Sequence, residues 1–426
     1  MIRFALMLLM SLAVSSQDAA AVKWNNSVDD GKAVNYRKGW GLPTEIPESA
    51  RPNDATISLY EEGRVKFFNR LKSGRNIHTI KPKGNAEKFK STENPKSKIL
   101  NRQFKKGFML SYLFYDNGII KYNGVPESGR FDKDITDETL FFTHSTGKSI
   151  VSYIVGHAIC KGYISSKSEQ IDWPLMSKTL YQGQPLINLL NMSAGDKHTI
   201  DEDRSHYVMG SKKHHRGMDL VTISKLLEGT QRKGDELFYN NFLADVIANY
   251  IAYRSGEQYE SLLNSVFQDN IKIENEVHFE LHRITSAYDN KFIRDPQTRA
   301  SYSFLITRKD LLRVAVAMMR DYQQQTCVGK YLKEIQLQAK NWPKYRPNKN
   351  RAELYLHKYA KKYGGQFYFD FQKMKGRNIL ATEGYNGQNM MIDFDNSKIV
   401  VTQSAATGWN QKTFVLNVIR TGKLPK

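Results

Sequence analysis

The sequence predicts a protein of the α/β (α+β) class: an antiparallel sheet flanked by helices, with an all-helical domain inserted between two sheet-forming parts. Three observations predict it. Strand-rich runs lie at Phe108–Val125 and again from Gly365 onward. Between them, from 163 to about 335, apolar residues recur at helical spacing. Just after the first strand-rich run comes Phe141–Gly162, FFTHSTGKSIVSYIVGHAICKG, an apolar helix that holds the only S-x-x-K of the chain.

Taken in order, Met1 to Ala21 reads as a signal peptide. Arg3 supplies the positive start, Phe4 to Val14 the apolar stretch and Ala19-Ala20-Ala21 a small-residue cleavage site. The apolar stretch is short for a membrane span, and no Cys lies near the cut for a lipid anchor. The expectation is an exported protein, periplasmic or secreted. Residues 22–106 are expected to form an N-terminal extension that wraps the main body. Pro43, Pro47 and Pro52 break its start, Ile57–Leu71 suits a helix, and Lys-rich Lys81–Lys98 suits a surface loop. The main domain spans 107–420, with sheet-forming parts at about 107–162 and 340–420 and a helical part at about 163–339.

Within that domain, FMLSYLFY and IIKYNGV flank Asp116-Asn117-Gly118, a strong hairpin signal. Leu186–Met192, Leu220–Leu227, Phe242–Tyr253, Tyr259–Phe267 and Lys309–Met319 carry helical spacing. QFYFDF, NMMIDFD and KIVVTQSA are short strands, with Asp395-Asn396-Ser397 turning between the last two, and Gln411–Ile419 closes the chain as a helix.

Composition narrows the function. The 426 residues are 40% hydrophobic and 25% charged, which is globular, and the net charge is +20. In an exported protein whose Lys and Arg are spread along the chain, that charge argues for no nucleic-acid partner. It suits a solvated basic surface, with weak salt-sensitive association with anionic envelope surfaces as a further expectation. Two cysteines make no disulfide framework. Cys160, on the apolar helix, reads as a small hydrophobe; the sequence leaves its pairing with Cys327 open.

The chemistry centres on Ser145 and Lys148. Three residues apart on a helix, they share one face at its N-terminus. A Ser hydroxyl needs a base, and a buried Lys whose pKa falls can be one. Ile150, Val151, Ile154, Val155, Ala158 and Ile159 leave the helix little polar face, which suits burial of Lys148. A buried helix with a chance S-x-x-K remains the plain alternative. A P-loop fits poorly, because Phe142 stands where that loop needs Gly. Two further stretches matter: Phe238-Tyr239-Asn240-Asn241, and Gly384-Tyr385-Asn386-Gly387-Gln388 before a strand. Each alone reads as an ordinary cap or turn.

Their order is what resembles a known family. S-x-x-K, then Y-x-N, then a short Gly-containing motif before a C-terminal strand is similar to the layout of penicillin-recognising serine hydrolases. The chain from about Phe108 to about Ile419 resembles the class C β-lactamase-related, penicillin-binding-protein-like family, including its esterases and 6-aminohexanoate-dimer hydrolase. LINLLNMSAGD, KGDELFYNN, SYSFLITRKDLLRVAVAMM and YGGQFYFDF resemble the family's connecting segments.

The resemblance implies a β-lactamase/transpeptidase-like fold and a serine hydrolase with no cofactor. Ser145 is then the nucleophile, with Lys148 and Tyr239 sharing proton transfer. Asn241 holds Lys148 and contacts the substrate amide. Tyr385, Asn386, Gly387 and Gln388 line the substrate, and the backbone N–H groups of Ser145 and Gln388 form the oxyanion hole. The implied partner is a small-molecule or peptide-like amide or ester. In this family the third motif often carries a Lys or His that suits carboxylate-bearing substrates; here the triplet is Tyr385-Asn386-Gly387. That departure favours ester and amide hydrolysis over β-lactamase or D-Ala-D-Ala peptidase activity. A penicillin-binding protein, or a binding protein that keeps the fold without catalysis, stands as the alternative. His198, His206, His214 and His215 lie with Asp196, Asp201, Asp203 and Asp219 in one polar segment, yet match no standard metal spacing. With Lys212, Lys213 and Arg216 beside them, no metal is expected.

Overall fold

A computed structural model describes residues 53–201, 207–208, 219–284, 291–342, 355–406 and 409–426. The expected signal peptide, and His206, His214, His215 and Asp203 of the polar segment, lie outside these residues.

The two strand-rich parts of the sequence meet in one sheet. Its nine strands run, edge to edge, Lys340–Asn341, Ala360–Gly364, Phe367–Phe371, Ile379–Gly384, Gln388–Asp393, Lys398–Ser404, Met109–Asp116, Ile119–Gly124 and Lys90–Ser91. The chain-distant pair, Lys398–Ser404 with Met109–Asp116, is antiparallel and sets Tyr112 opposite Thr402. Only the last edge pairing is parallel, Lys90–Ser91 on Ile119–Ile120. The hairpin turns at Asn117 and Gly118, both at positive φ, as the Asn-Gly signal requires. The central strands are buried along almost their whole length, because helices cover the sheet.

A second sheet orders Ile77–Ile80, Val277–His282, Gln297–Thr307 and Leu140–Phe142. Two of its strands fall in the stretch expected to be wholly helical, and SYSFLIT, just before the helix expected at Lys309–Met319, is strand. The physical reason is local: Gln297–Thr307 is rich in aromatic and β-branched residues. Thr307 ends the strand and caps the next helix, accepting from Asp310 N. That helix, Arg308–Gln323, and Phe242–Ser255, Tyr259–Asn264 and Cys327–Leu337 supply most of the helical layer.

Leu140–Phe142 delivers the chain into the helix Thr146–Cys160, whose residues from Thr146 to Ala158 are all buried. Burial on every side is what its missing polar face dictates. It is anchored at its far end, where Gly156 lies against the Tyr331 ring and Ser152 Oγ meets Tyr331 Oη at 2.9 Å. There Cys160 is joined to Cys327, with Cα atoms 5.8 Å apart. The pairing that the sequence leaves open is thereby made, across 167 residues of chain, and Cys160 is not a free small hydrophobe.

Candidate active site

Three segments far apart in sequence converge at the start of the buried helix. The first carries Ser145 and Lys148. Lys148 Nζ lies 2.8 Å from Ser145 Oγ and 2.7 Å from the Ser301 carbonyl oxygen. Its side chain is 1% exposed. Burial pushes Lys148 down to about 7, against the opposing pull of the Asp245 charge. In the neutral amine one N–H is held by Ser301, which leaves the lone pair free to meet the Ser145 hydroxyl.

Asp245 is the residue behind this arrangement. It is buried in the helix Phe242–Ser255, and Oδ1 accepts from the backbone N–H of Ala300 at 2.8 Å and of Ser301 at 3.0 Å. It therefore fixes the two peptides just before the Ser301 carbonyl that orients the Lys148 amine. The sequence reading passed over Asp245 and Ser301. The available signal was an acid inside the apolar run FLADVIANYIAY.

The second segment carries Tyr239, whose hydroxyl lies near enough to Ser145 for the serine to ease its ionisation. Lys148 Nζ lies 5.2 Å from the centre of its ring. Burial raises the Tyr239 hydroxyl well above the ordinary phenol value; Ser145 opposes this and the Glu383 charge adds to it. Tyr239 is thus still a phenol where Lys148 is already a neutral amine. Asn241, half-buried, stands at the N-terminus of the helix Phe242–Ser255. Its neighbour Asn240 does the local structural work: Oδ1 accepts from Leu243 N at 3.1 Å and Nδ2 donates to Asp196 at 3.1 Å.

The third segment is Gly384–Gln388. Thr146 ties it to the start of the buried helix: its hydroxyl lies 2.9 Å from the Gln388 carbonyl oxygen and 3.0 Å from Thr382 Oγ1. Gly384 passes so close that an added Cβ would stand 2.2 Å from the Thr143 carbonyl oxygen, leaving no room for a side chain. This close approach sets Gly384–Gln388 against the Thr143–Thr146 turn. Gly387 has φ +84° and packs on Trp409. Its need for glycine arises from the backbone and that ring, a reason additional to substrate approach. Asn386 is buried at φ 62°. Half-buried Tyr385 sets its ring 5.8 Å from that of His144, the residue before Ser145.

The polar segment has other duties where it is described. Asp196 accepts from Tyr181 Oη at 2.9 Å as well as from Asn240, and burial pushes its carboxyl up to about 6 against those bonds. Asp219 caps the helix Leu220–Leu226. His198 is exposed.

By sequence, the chain matches no family model and no curated protein. By structure it superposes on a Bacillus anthracis protein assigned as a 6-aminohexanoate-dimer hydrolase, with TM-score 0.57 over 91% of this chain and 96% of that one, at 11% identity. The chain has the β-lactamase/transpeptidase-like fold. Looser matches include FmtA of Staphylococcus aureus (TM-score 0.49, 16% identity, 84% and 97% covered). A class C β-lactamase of Rhodobacter sphaeroides also matches (TM-score 0.46, 14% identity, 70% and 89% covered). This is the fold of serine β-lactamase-like hydrolases and penicillin-binding proteins. Within it, the helix start, the tyrosine segment and the strand Gln388–Asp393 are the three walls of the site.

Proposed function

We propose that the protein is an exported serine hydrolase that cleaves an amide or ester through an acyl-Ser145 intermediate. One observation carries this reading: a fully buried lysine 2.8 Å from a serine hydroxyl, whose nearest acceptors are neutral and whose pKa is about 7. Lys148 takes the Ser145 proton as Oγ attacks the substrate carbonyl. The resulting oxyanion is stabilised by the backbone N–H groups of Ser145 and Gln388. As the tetrahedral centre collapses, the bond to the leaving atom breaks, and that atom takes a proton from Tyr239. Lys148, now an ammonium, gives its extra proton to the Tyr239 phenolate. Water then attacks the acyl carbonyl and gives a proton to Lys148; as the acid leaves, Lys148 passes that proton to the departing Ser145 oxygen and the resting state is restored.

Tyr385 in place of a third-motif cation supports substrates without a carboxylate at that position. The Cys160–Cys327 bridge supports an oxidising, exported location. The experiment is turnover of a panel of p-nitrophenyl esters, amino-acid amides and a chromogenic cephalosporin, by the natural protein and by Ser145→Ala. Ester or amide cleavage that disappears in Ser145→Ala, with the circular dichroism spectrum unchanged, is expected. No cleavage of any member and no acyl adduct by mass would point to a binding protein on a hydrolase fold.

A further inference from the structure

Past Tyr239 the site continues into a wall of aromatic rings. The strands Ala360–Gly364 and Phe367–Phe371 set Tyr363 directly opposite Tyr368, with ring centres 4.9 Å apart. Trp342 joins them from the sheet edge, held by its backbone N–H on the Lys361 carbonyl at 2.8 Å. Its ring lies 5.3 Å from Tyr363, 5.1 Å from Tyr368 and 6.2 Å from Tyr239. Tyr363 and Tyr368 are buried and form the backing, while Tyr239, Trp342 and His357 are half-buried and present the open side.

A carboxylate lies behind this wall. Glu383 ends the strand that leads to Gly384, is 9% exposed, and accepts from His357 Nδ1 at 2.7 Å and from the backbone N–H groups of Leu356 and His357 at 3.1 and 2.8 Å. Among the described residues no Lys or Arg pairs with it, and its charge is felt at both Tyr239 and Tyr368. Ring faces are themselves electronegative. Rings and a buried carboxylate together make this side of the site attractive to cations, at the strand where relatives of this fold place a cation.

We infer that the wall of Tyr239, Trp342, Tyr368 and His357, backed by Glu383, is a leaving-group subsite selecting substrates whose leaving group carries an ammonium. The inference rests on the proposed acyl-Ser145 chemistry. Tyr239 protonates the leaving atom, so the leaving group must extend along the side Tyr239 shares with Trp342.

The test compares an acylcholine with its uncharged carbon isostere, the 3,3-dimethylbutyl ester of the same acid. It is run at about pH 8.5, where Lys148, held at about 7, is neutral. A kcat/KM ratio on the order of tenfold in favour of the cation is expected. The ratio should fall towards one in Trp342→Leu and in Glu383→Gln. A ratio of one or less in the natural protein, or a ratio unchanged in both variants, overturns the subsite. Calorimetric binding of the same two esters to Ser145→Ala separates this from the hydrolase reading. Tighter binding of the cation without turnover in the natural protein keeps the cation site and removes the chemistry. Equal affinities remove the cation site even if both esters are cleaved.

Discussion

Two buried cations lie against the second sheet's longest strand, Lys148 at its middle and Arg308 at its end, and the protein treats them differently. Arg308, 2% exposed, follows the strand Gln297–Thr307 and is matched by charge: Nη1 donates to Asp137 at 2.8 Å, Nη2 to the Gly124 carbonyl at 3.1 Å and Nε to Ser111 at 2.8 Å. Lys148, equally buried, donates among the described residues to Ser145 Oγ and the Ser301 carbonyl, with the Tyr239 ring beside it and the Asp245 charge acting from a distance. A carboxylate in direct contact keeps a buried cation charged, whereas neutral acceptors let its proton leave. The first arrangement builds structure; the second builds a base.

The largest expected effect breaks the comparison at Lys148. Lys148→Arg keeps a positive charge that cannot be given up, so kcat should fall by roughly three orders of magnitude, as far as in Lys148→Ala. Measurable turnover in the arginine variant would mean that the charge, and not its loss, is what the site needs. Arg308→Leu makes the opposite test. It should cost about 3 kcal/mol of stability in urea unfolding, by leaving two buried acceptors, Ser111 and the Gly124 carbonyl, without their donor and Asp137 with Lys309 alone. Below the transition it should leave kcat unchanged. Lost turnover with unchanged stability would put Arg308 in the site and dissolve the contrast.

A smaller effect sharpens the comparison through pH. Lys148 has a folded pKa of about 7 against an ordinary value of 10.5. Between these two, the unfolded chain binds the proton and the folded chain does not, so stability rises with pH across this window. Lys148→Met should therefore gain most over the natural protein at and below about pH 7, and the gain should shrink as pH approaches 10.5. An equal gain at every pH would show that Lys148 keeps its proton when buried. The smallest effect belongs to Asp245→Asn. Asn can still accept from Ala300 and Ser301 but lacks the charge that raises Lys148, so the acid limb of the pH–rate profile should move to lower pH. A limb that moves upward would contradict the sign of that interaction.

Much of this was legible in the sequence. Ser145, Lys148 and Tyr239 are brought together in the fold, and the hairpin at Asn117-Gly118 and the strands around QFYFDF and NMMIDFD stand where local signals put them. What escaped depended on partners far away. Asp245 holds N–H groups 55 and 56 residues on, Gly384 is needed because of Thr143, and Cys160 meets Cys327 across the fold. The strand before Thr307 was missed for another reason. Its apolar run passes straight into an amphipathic helix, and only the Thr307 cap marks the switch.

The central claim is that Lys148 is a neutral base near physiological pH. The most direct test is the rate of Ser145 modification by a fluorophosphonate, followed by intact mass with the labelled peptide mapped, across a pH series. The account predicts one adduct, on Ser145, forming faster as pH rises through about 7 and levelling off above it. A rate still climbing towards 10.5, the ordinary lysine value, or an adduct elsewhere, would contradict it.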